Sequence, residues 1–273
     1  MIKRIMITFI IVMMLVVASV IIIAKNIDHE IKAYNIMDEY GSVYEVIETD
    51  KSISIKYMPN YYENATTWRN YIENRYKSWG EYKNLIDDFG NEYFTAYVLP
   101  CHLLTPSELI EILTKYNLTR KLTLVIVNVY LKNGSWLWNS YITINDNNAE
   151  KVIEKIINTE VEAVENLRRR FSDPEYLKIL IENNATSSIP FNITFEDIDI
   201  YVESFLLKDA LKELSILKDK PEVLMVDLPL DIIARFKSNN EKSVIEINRV
   251  TFGEPWLNRE TNYCKTIKCR CKE

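Results

Sequence analysis

A run of uncharged, mostly apolar residues near the N-terminus constrains this chain more than any other feature of its sequence. The run, IMITFIIVMMLVVASVIIIA, covers residues 5–24 and contains neither a charged residue nor a proline. About 20 residues that rise about 1.5 Å each span a bilayer core of roughly 30 Å. Residues 5–24 are therefore predicted to form a single transmembrane anchor, which makes the membrane the first expected partner.

The residues around this run predict its orientation. Lys3 and Arg4 precede it, and because basic residues favour the cytoplasmic side, residues 1–4 are expected inside and the body outside. A cleaved secretory signal is the alternative, which would leave a secreted protein. Such a signal usually has a shorter apolar core that ends at a small-x-small site, whereas here further apolar residues follow Ala18-Ser19. Both interpretations predict that the body is exported.

Export changes how the cysteines are interpreted, because disulfides form in oxidising compartments. Cys101 lies alone, and Cys264, Cys269 and Cys271 cluster in a C-terminal tail at residues 253–273. A bond between Cys269 and Cys271 is sterically poor. We therefore expect Cys101 to bond to one tail cysteine and the remaining two to pair. Zinc binding by these thiolates with His102 is the alternative, although the C-x4-C-x-C spacing matches no common zinc motif.

Composition argues against several classes of function. The formal net charge of −6 disfavours a nucleic-acid partner, which would require a basic face. The five glycines are too far apart for a phosphate-binding loop, so no nucleotide and no other cofactor is predicted. The chain has only two histidines and contains neither G-x-S-x-G nor H-E-x-x-H. We therefore predict no catalytic residues, no metal site and no enzymatic activity.

Residues 25–90 are predicted to form a stalk and an N-terminal α/β segment. Residues 25–40 would continue the anchor as a helical stalk, and the alternation in residues 42–58 indicates two short strands. Residues 66–89 are typical of a helix. An apolar stripe at three- and four-residue spacing runs along it, formed by Trp68, Ile72, Tyr76 and Trp79. Such a stripe is more often a core face than a platform for sugars.

Residues 91–252 are predicted to form a ferredoxin-like α+β domain with added strands and helices. The order from Glu92 to Val202 reads strand, helix, strand, strand, helix, strand, which is the split β-α-β plan. Thr105-Pro-Ser-Glu108 is a capping box that starts the first helix. Asn133-Gly134 is typical of the turn of a hairpin.

Two further helices follow from apolar spacing. The long helix after residue 148 is expected to direct one side inward, formed by Ile153, Ile157, Val164, Leu167 and Phe171. A later helix would direct Leu207, Leu211 and Leu214 inward, before a short apolar strand.

The hairpin register predicts two different sheet faces. A two-residue turn would pair Leu131 with Trp136 and Val129 with Trp138, so both tryptophans should be buried under helices. The opposite face is semi-apolar and is the candidate surface for binding a protein partner. Its members are Leu124, Ile126, Asn128, Tyr130, Leu137, Asn139 and Tyr141. In the competing interpretation, the strands of residues 42–58 or the tail cover this face.

Two stretches resemble known sequences. TPSELIEILTKYNL and YVESFLLKDALKELSILKDKPEVLMVDLP resemble pieces common in exported, membrane-anchored prokaryotic proteins of uncharacterised role. The second is also similar to the end of the ferredoxin-like propeptide and inhibitor domains of subtilisin-type proteases. In those domains a strand-helix-strand unit closes on V-x-x-V-D/E, here Val223–Asp227. The resemblance implies a ferredoxin-like fold and an exported location.

These features together predict a membrane-anchored, extracytoplasmic binding or structural domain that docks an envelope protein. The alternative is a surface protein that binds or cleaves glycans through tryptophans and nearby carboxylates. The tryptophans concerned are Trp68, Trp79, Trp136 and Trp138. Their burial discriminates between the two functions, because a ring that stacks on a sugar must be accessible.

Overall fold

The computed structural model describes residues 31–37, 42–49, 52–58, 65–145, 148–175, 190, 192–239 and 244–249. The predicted anchor at residues 5–24 and the predicted tail at residues 253–273 lie outside these ranges. Within the described ranges, no helix is long and apolar enough to cross a membrane. The described chain combines helices with two sheets, which confirms the α+β class.

The strands of the described chain form two sheets. They are β1 (Lys32–Met37), β2 (Val43–Glu48), β3 (Ser52–Met58), β4 (Tyr93–Pro100), β5 (Leu122–Leu131), β6 (Trp136–Thr143), β7 (Ile198–Ala210), β8 (Val223–Asp227) and β9 (Val244–Arg249). The four-stranded sheet has the order β1-β2-β3-β9, and the five-stranded sheet has the order β6-β5-β7-β4-β8. The β3–β9 pair is parallel, and the other pairs of described strands are antiparallel.

The helices of the described chain flank these sheets. They are α1 (Ala65–Glu81), α2 (Lys83–Phe89), α3 (Pro106–Lys115), α4 (Ala149–Phe171), α5 (Leu211–Leu217) and α6 (Leu230–Asn239). The start of α3 is as predicted, because Thr105 and Glu108 form the capping box. The Thr105 hydroxyl accepts the Glu108 N–H at 3.2 Å, and the Glu108 carboxylate accepts the Thr105 N–H at 2.6 Å.

Two β-α-β units interlock in the five-stranded sheet. The first is β4-α3-β5, and β7 lies between its two strands. The second is β7-α5-β8, and β4 lies between its two strands. Since β4 and β7 are antiparallel neighbours, each unit is split by the first strand of the other. The order predicted for residues 92–202 is present along the chain as β4-α3-β5-β6-α4-β7.

Different helices bury the two faces of the five-stranded sheet. One face contributes Val125 and its neighbours to a core cluster that also contains Leu113 of α3 and residues of α4 and α5. On the other face, Tyr97 and Ile126 form a second cluster with Trp68 of α1. Helix α1 also contacts the four-stranded sheet, where Arg75 binds Tyr44 of β2. The helix therefore connects the two sheets.

Two segments that were predicted to be helical are strands. Residues 32–37, which were assigned to the stalk, form β1 and pair with β2. Leu207, which was assigned to a helix, belongs to β7, and α5 begins only at Leu211. β7 pairs with β4 on one side and with β5 on the other. Pairing of this kind outweighs local helix propensity, because strand formation depends mainly on neighbouring strands and burial.

Helix α4 buries Val164 and Phe171 as predicted, but in its N-terminal half the buried face is shifted by one residue from the predicted one. Val152 and Ile156 are buried, whereas Ile153 is half-buried and Ile157 is exposed. Glu160 belongs to the same buried stripe and is completely buried. The prediction was wrong because a carboxylate inside the stripe interrupted the apolar pattern.

Candidate functional site

The predicted binding face of the hairpin is covered rather than open. Ile126, Asn128, Tyr130 and Leu137 are buried, and Tyr141 is the exposed member at 45%. Leu124 and Asn139 are half-buried. The face is covered, as in the competing interpretation, but Ile126 packs in a cluster with Trp68 and Ile72 of α1 rather than with the strands of residues 42–58.

A β-bulge near the hairpin turn changes which side chains lie on each face. The predicted pairing of Val129 with Trp138 is confirmed, but Tyr130 pairs with Trp136, and Leu137 is the extra residue of the bulge. Trp136 is 55% exposed, and its Nε1 donates to Asn128 Oδ1 at 3.4 Å. Leu137 belongs to the core cluster on the Val125 face of the sheet, which α3, α4 and α5 cover. The predicted positions of Trp136 and Leu137 are thus exchanged.

A polar pair lies within the covered face. Glu203 is completely buried, and its Oε2 accepts a hydrogen bond from Asn128 Nδ2 at 2.8 Å. A second bulge lies in β7 opposite β5. Val202 and Ser204 pair with Val127 and Ile126, so Glu203 is the extra residue without a partner in the β5–β7 ladder. In the sequence, Glu203 ends an alternation in which Ile198, Ile200 and Val202 are apolar, and this pattern predicts a solvated side chain for Glu203. Its burial contradicts that prediction.

The aromatic stripe of α1 is a core face, as expected. Trp68 and Ile72 are buried, and Trp79 is buried with its Nε1 donating to the Val226 carbonyl at 3.2 Å. Trp138 is half-buried and donates to Glu160 Oε2 at 2.9 Å. Buried rings cannot stack on a sugar, so an open platform built from several of these tryptophans is not found in the described chain.

The most concentrated polar chemistry surrounds Arg75 of α1, which is buried between the sheets. Its Nε lies 2.9 Å from Asp227 Oδ1 and donates to Tyr71 Oη at 3.2 Å. Its Nη2 donates to Tyr44 Oη at 2.6 Å. The Tyr71 hydroxyl in turn donates to Asp227 Oδ2 at 2.8 Å. We call Arg75, Asp227, Tyr71 and Tyr44 the arginine cluster.

Arg75 keeps its positive charge despite its burial. Burial lowers the pKa of Arg75, but the neighbouring Tyr71, Tyr44 and Asp227 raise it well above its usual value. The guanidinium also lies over the Tyr71 ring, with 5.1 Å from Cζ to the ring centroid. A buried, paired guanidinium of this kind fixes the relative positions of α1, β2 and β8.

A cavity of about 400 Å³ opens beside the arginine cluster. Residues of β1, α1 and α6 line it, and Asp231 Oδ1 of α6 lies 3.5 Å from Arg75 Nη1. The cavity is therefore bounded on one side by a buried cation and on another by a half-exposed carboxylate.

The four-stranded sheet has an exposed face that the sequence prediction missed. Its inner face carries buried residues such as Tyr44, Val46 and Ile55. We call the opposite side the outer face, and it carries large apolar side chains that are exposed. They are Ile31, Met37, Val43, Ile47 and Val244. β1 lies at the edge of this sheet, and five of its six residues are exposed.

Cys101 lies at the end of β4 and is buried, with its Sγ 3.3 Å from the Pro221 carbonyl oxygen. The cysteines proposed to bond to it, Cys264, Cys269 and Cys271, lie outside the described residues, so this pairing stays a prediction. Among the described residues, no cluster of three or more His, Cys, Asp or Glu side chains could hold a metal ion. His102 is exposed and lies 3.9 Å from Glu108.

Glu160 of α4 is a further buried ionisable group. Burial raises its pKa, while hydrogen bonds from Ser140 and Trp138 lower it in part. A carboxyl whose pKa is higher in the folded state favours folding fully below its unfolded pKa of about 4.3. That contribution is lost as the pH rises through the folded pKa.

Replacement of Glu160 by glutamine is expected to remove this pH dependence. The free energy of unfolding of the wild type should fall relative to that of Glu160→Gln between about pH 4 and about pH 7. Urea unfolding at the two pH values measures the difference. Glu162→Gln changes an exposed carboxylate of the same helix and should retain the wild-type dependence. An identical pH dependence in the wild type and Glu160→Gln would contradict the prediction.

Sequence reasoning missed Arg75, although a signal for it was present. Arg75 follows Ile72 by three residues and precedes Trp79 by four, so it occupies a core position of the apolar stripe. A cation at such a position requires a buried partner. Asp227 was the acidic residue of the V-x-x-V-D/E stretch, but no pattern in the sequence linked it to Arg75.

The chain was compared with known protein families, curated proteins and solved structures, and no significant match was found.

Proposed function

We propose that the protein is a non-catalytic, membrane-anchored, extracytoplasmic domain that docks an envelope protein through the edge and outer face of its four-stranded sheet. The exposure of this surface carries the proposal. Met37 is 68% exposed and pairs with exposed Val43, and Ile47 pairs with Ala33 on the same side. Exposed apolar side chains along an uncovered edge strand are typical of a site to which a partner adds a strand.

The predicted anchor supports a partner close to the membrane. Only residues 25–31 separate residues 5–24 from β1. A fully extended chain spans at most about 3.6 Å per residue, so β1 would lie within ~25 Å of the bilayer. An envelope protein that presents a free strand near the membrane surface could then pair with β1 and pack against Met37 and Ile47.

We also propose that residues 93–227 belong to the ferredoxin-like class. The two interlocked split units, with the strand order β8-β4-β7-β5, support this assignment. β6 and α4 are then an insertion between the second and third strands. In the sequence prediction β6 and α4 were the third strand and the second helix of the unit. Here β7 and α5 take those places, and β8 is the fourth strand.

Cross-linking from defined positions tests the docking surface. A photoreactive amino acid at Asn35 of β1, in the full chain in native membranes, is expected to form an adduct with one envelope protein. The same amino acid at Glu213, exposed on α5, is the matched control and should not form this adduct. Combined Met37→Lys and Ile47→Lys substitutions should abolish the adduct, because they place charges on the contact surface.

Ile216→Lys is the control for the double variant. It introduces a charge at another exposed apolar position, on α5, and should leave the adduct intact. Loss of the adduct in both variants would indicate a general effect on folding or export. An adduct with lipid alone would indicate that the outer face lies on the bilayer, and an adduct of twice the mass of the chain would indicate self-association.

A further inference from the structure

The cavity beside the arginine cluster has the composition of a binding site for a small molecule. Its volume of about 400 Å³ falls within the range of roughly 300–1,000 Å³ for ligand pockets. Ile36 of β1 and Ile232 of α6 supply an apolar wall. Polar and charged side chains of α1 and α6 complete the lining. Such a mixture orients a ligand by a few polar contacts while apolar surface is buried.

Arg75 retains hydrogen-bonding capacity on the side of the cavity. A guanidinium has five N–H donors. Its Nε is used by Asp227 and Tyr71, and its Nη2 by Tyr44. Among the described residues, Nη1 contacts Asp231 Oδ1 at 3.5 Å, which is longer than the roughly 2.7–2.9 Å of a charge-assisted hydrogen bond. Nη1 can therefore donate to a carboxylate placed in the cavity.

Two further charged side chains of the lining, Glu81 and Arg235, are exposed. Within the described part of the chain, neither Glu81 nor Arg235 forms a side-chain hydrogen bond or an ion pair. Arg235 follows Asp231 by four residues on α6, so the two side chains are neighbours on one face of the helix. The cavity thus presents two cations, Arg75 and Arg235, and two anions, Asp231 and Glu81.

This balance of charges selects the class of ligand. A simple anion would meet Asp231 and Glu81, and a simple cation would meet Arg75 and Arg235, so neither gains from the whole lining. A small molecule with an ammonium and a carboxylate group on the same carbon atom can satisfy both pairs. An aliphatic side chain on that molecule would pack against Ile36.

We propose that the cavity binds a small aliphatic zwitterion of the α-amino acid type. The ligand carboxylate accepts hydrogen bonds from Arg75 and Arg235, and its ammonium group donates to Asp231 and Glu81. The aliphatic part lies against the isoleucine wall. Met37 belongs both to the cavity lining and to the outer face that is proposed to dock a protein. Glu81 and Arg235 lie outside that face, so their variants test the cavity without changing the docking surface.

Calorimetric titration of the purified full chain in detergent tests the ligand class with three probes of similar shape. L-leucine carries both charges, 4-methylpentanoate lacks the ammonium group, and 3-methylbutylamine lacks the carboxylate. We expect saturable binding of one L-leucine per chain and an affinity at least about tenfold weaker for each analogue. The absence of saturable L-leucine binding up to about 10 mM would overturn the proposal. Equal affinities for the three probes would also overturn it, because the charged pairs would then contribute nothing.

Variants of the two exposed charges locate the site without disturbing the core. Arg235→Gln should lower the affinity for L-leucine at least about tenfold and leave the weak binding of 3-methylbutylamine unchanged. Glu81→Gln should lower the affinity for L-leucine and leave the affinity for 4-methylpentanoate unchanged. Arg168→Gln, at an exposed position of α4 outside the cavity lining, is the control and should bind like the wild type. Unchanged L-leucine affinity in both cavity variants would place any binding elsewhere and reject this site.

Discussion

Replacement of Arg75 by methionine is expected to lower the free energy of unfolding by about 3–5 kcal/mol. The loss arises because Asp227, which is buried with its side chain completely inaccessible, would retain a charge without its partner. Tyr44 would also lose the donor that contacts its hydroxyl at 2.6 Å. Denaturant unfolding of the full chain in detergent measures the change, with tryptophan fluorescence as the signal.

A double-variant cycle separates the ion pair from the packing around it. Asp227→Leu alone leaves a buried guanidinium whose remaining carboxylate, Asp231, lies 3.5 Å away and is half-exposed, so this variant should also be strongly destabilised. The double variant removes both charges, so it should be closer to the wild type than either single variant. Lys77→Met, at an exposed position of the same helix, should change stability by no more than about 0.5 kcal/mol. Additive losses in the double variant would show that Arg75 and Asp227 do not stabilise the fold as a pair.

Local signals predicted the elements that depend on local interactions. The capping box of Thr105 and Glu108 fixed the start of α3, and the strands on either side of Thr49 formed as expected. The hairpin register was correct at Val129–Trp138. In each case the residues that determine the structure are close in sequence, so their spacing carries the information.

Elements that depend on distant partners were predicted less well. β1 is a strand because β2 pairs with it, and Leu207 is in a strand because β7 has a neighbour on each side. β9 returns to pair in parallel with β3, and no periodicity in the sequence indicates such a partner. Long-range strand pairing depends on how the whole sheet is buried, and a short stretch of sequence carries no information about that burial.

The candidate sites were not predictable for the same reason. The arginine cluster joins Arg75 and Asp227, which are separated by 152 positions, with Tyr44 from a third element. The semi-apolar hairpin face was recognised, but its burial depends on the rest of the chain. The bulge that exchanges Trp136 and Leu137 shifts the register by a single residue, and a two-residue turn cannot reveal it.

Replacement of Trp79 by alanine is expected to lower the free energy of unfolding by about 3–5 kcal/mol. The indole is buried between α1 and β8, and its truncation would leave a cavity and an unpaired Val226 carbonyl. Trp79→Phe keeps most of the apolar volume and should cost less, mainly the hydrogen bond of about 1 kcal/mol. Denaturant unfolding with circular dichroism as the signal measures both losses without relying on the fluorescence of the replaced residue.

Trp136→Ala is the matched control for the same residue type. Trp136 is exposed, and its hydrogen bond to Asn128 is long at 3.4 Å. Trp136→Ala should therefore lower the free energy of unfolding by less than about 1 kcal/mol. Equal losses at Trp79 and Trp136 would contradict the assignment of the α1 stripe to the core. The pair also separates the competing functions, because a glycan platform requires accessible rings. Sugar binding that disappears in Trp136→Ala with stability unchanged would favour the glycan alternative, whereas a large loss of stability confined to Trp79→Ala is the result expected of a core residue.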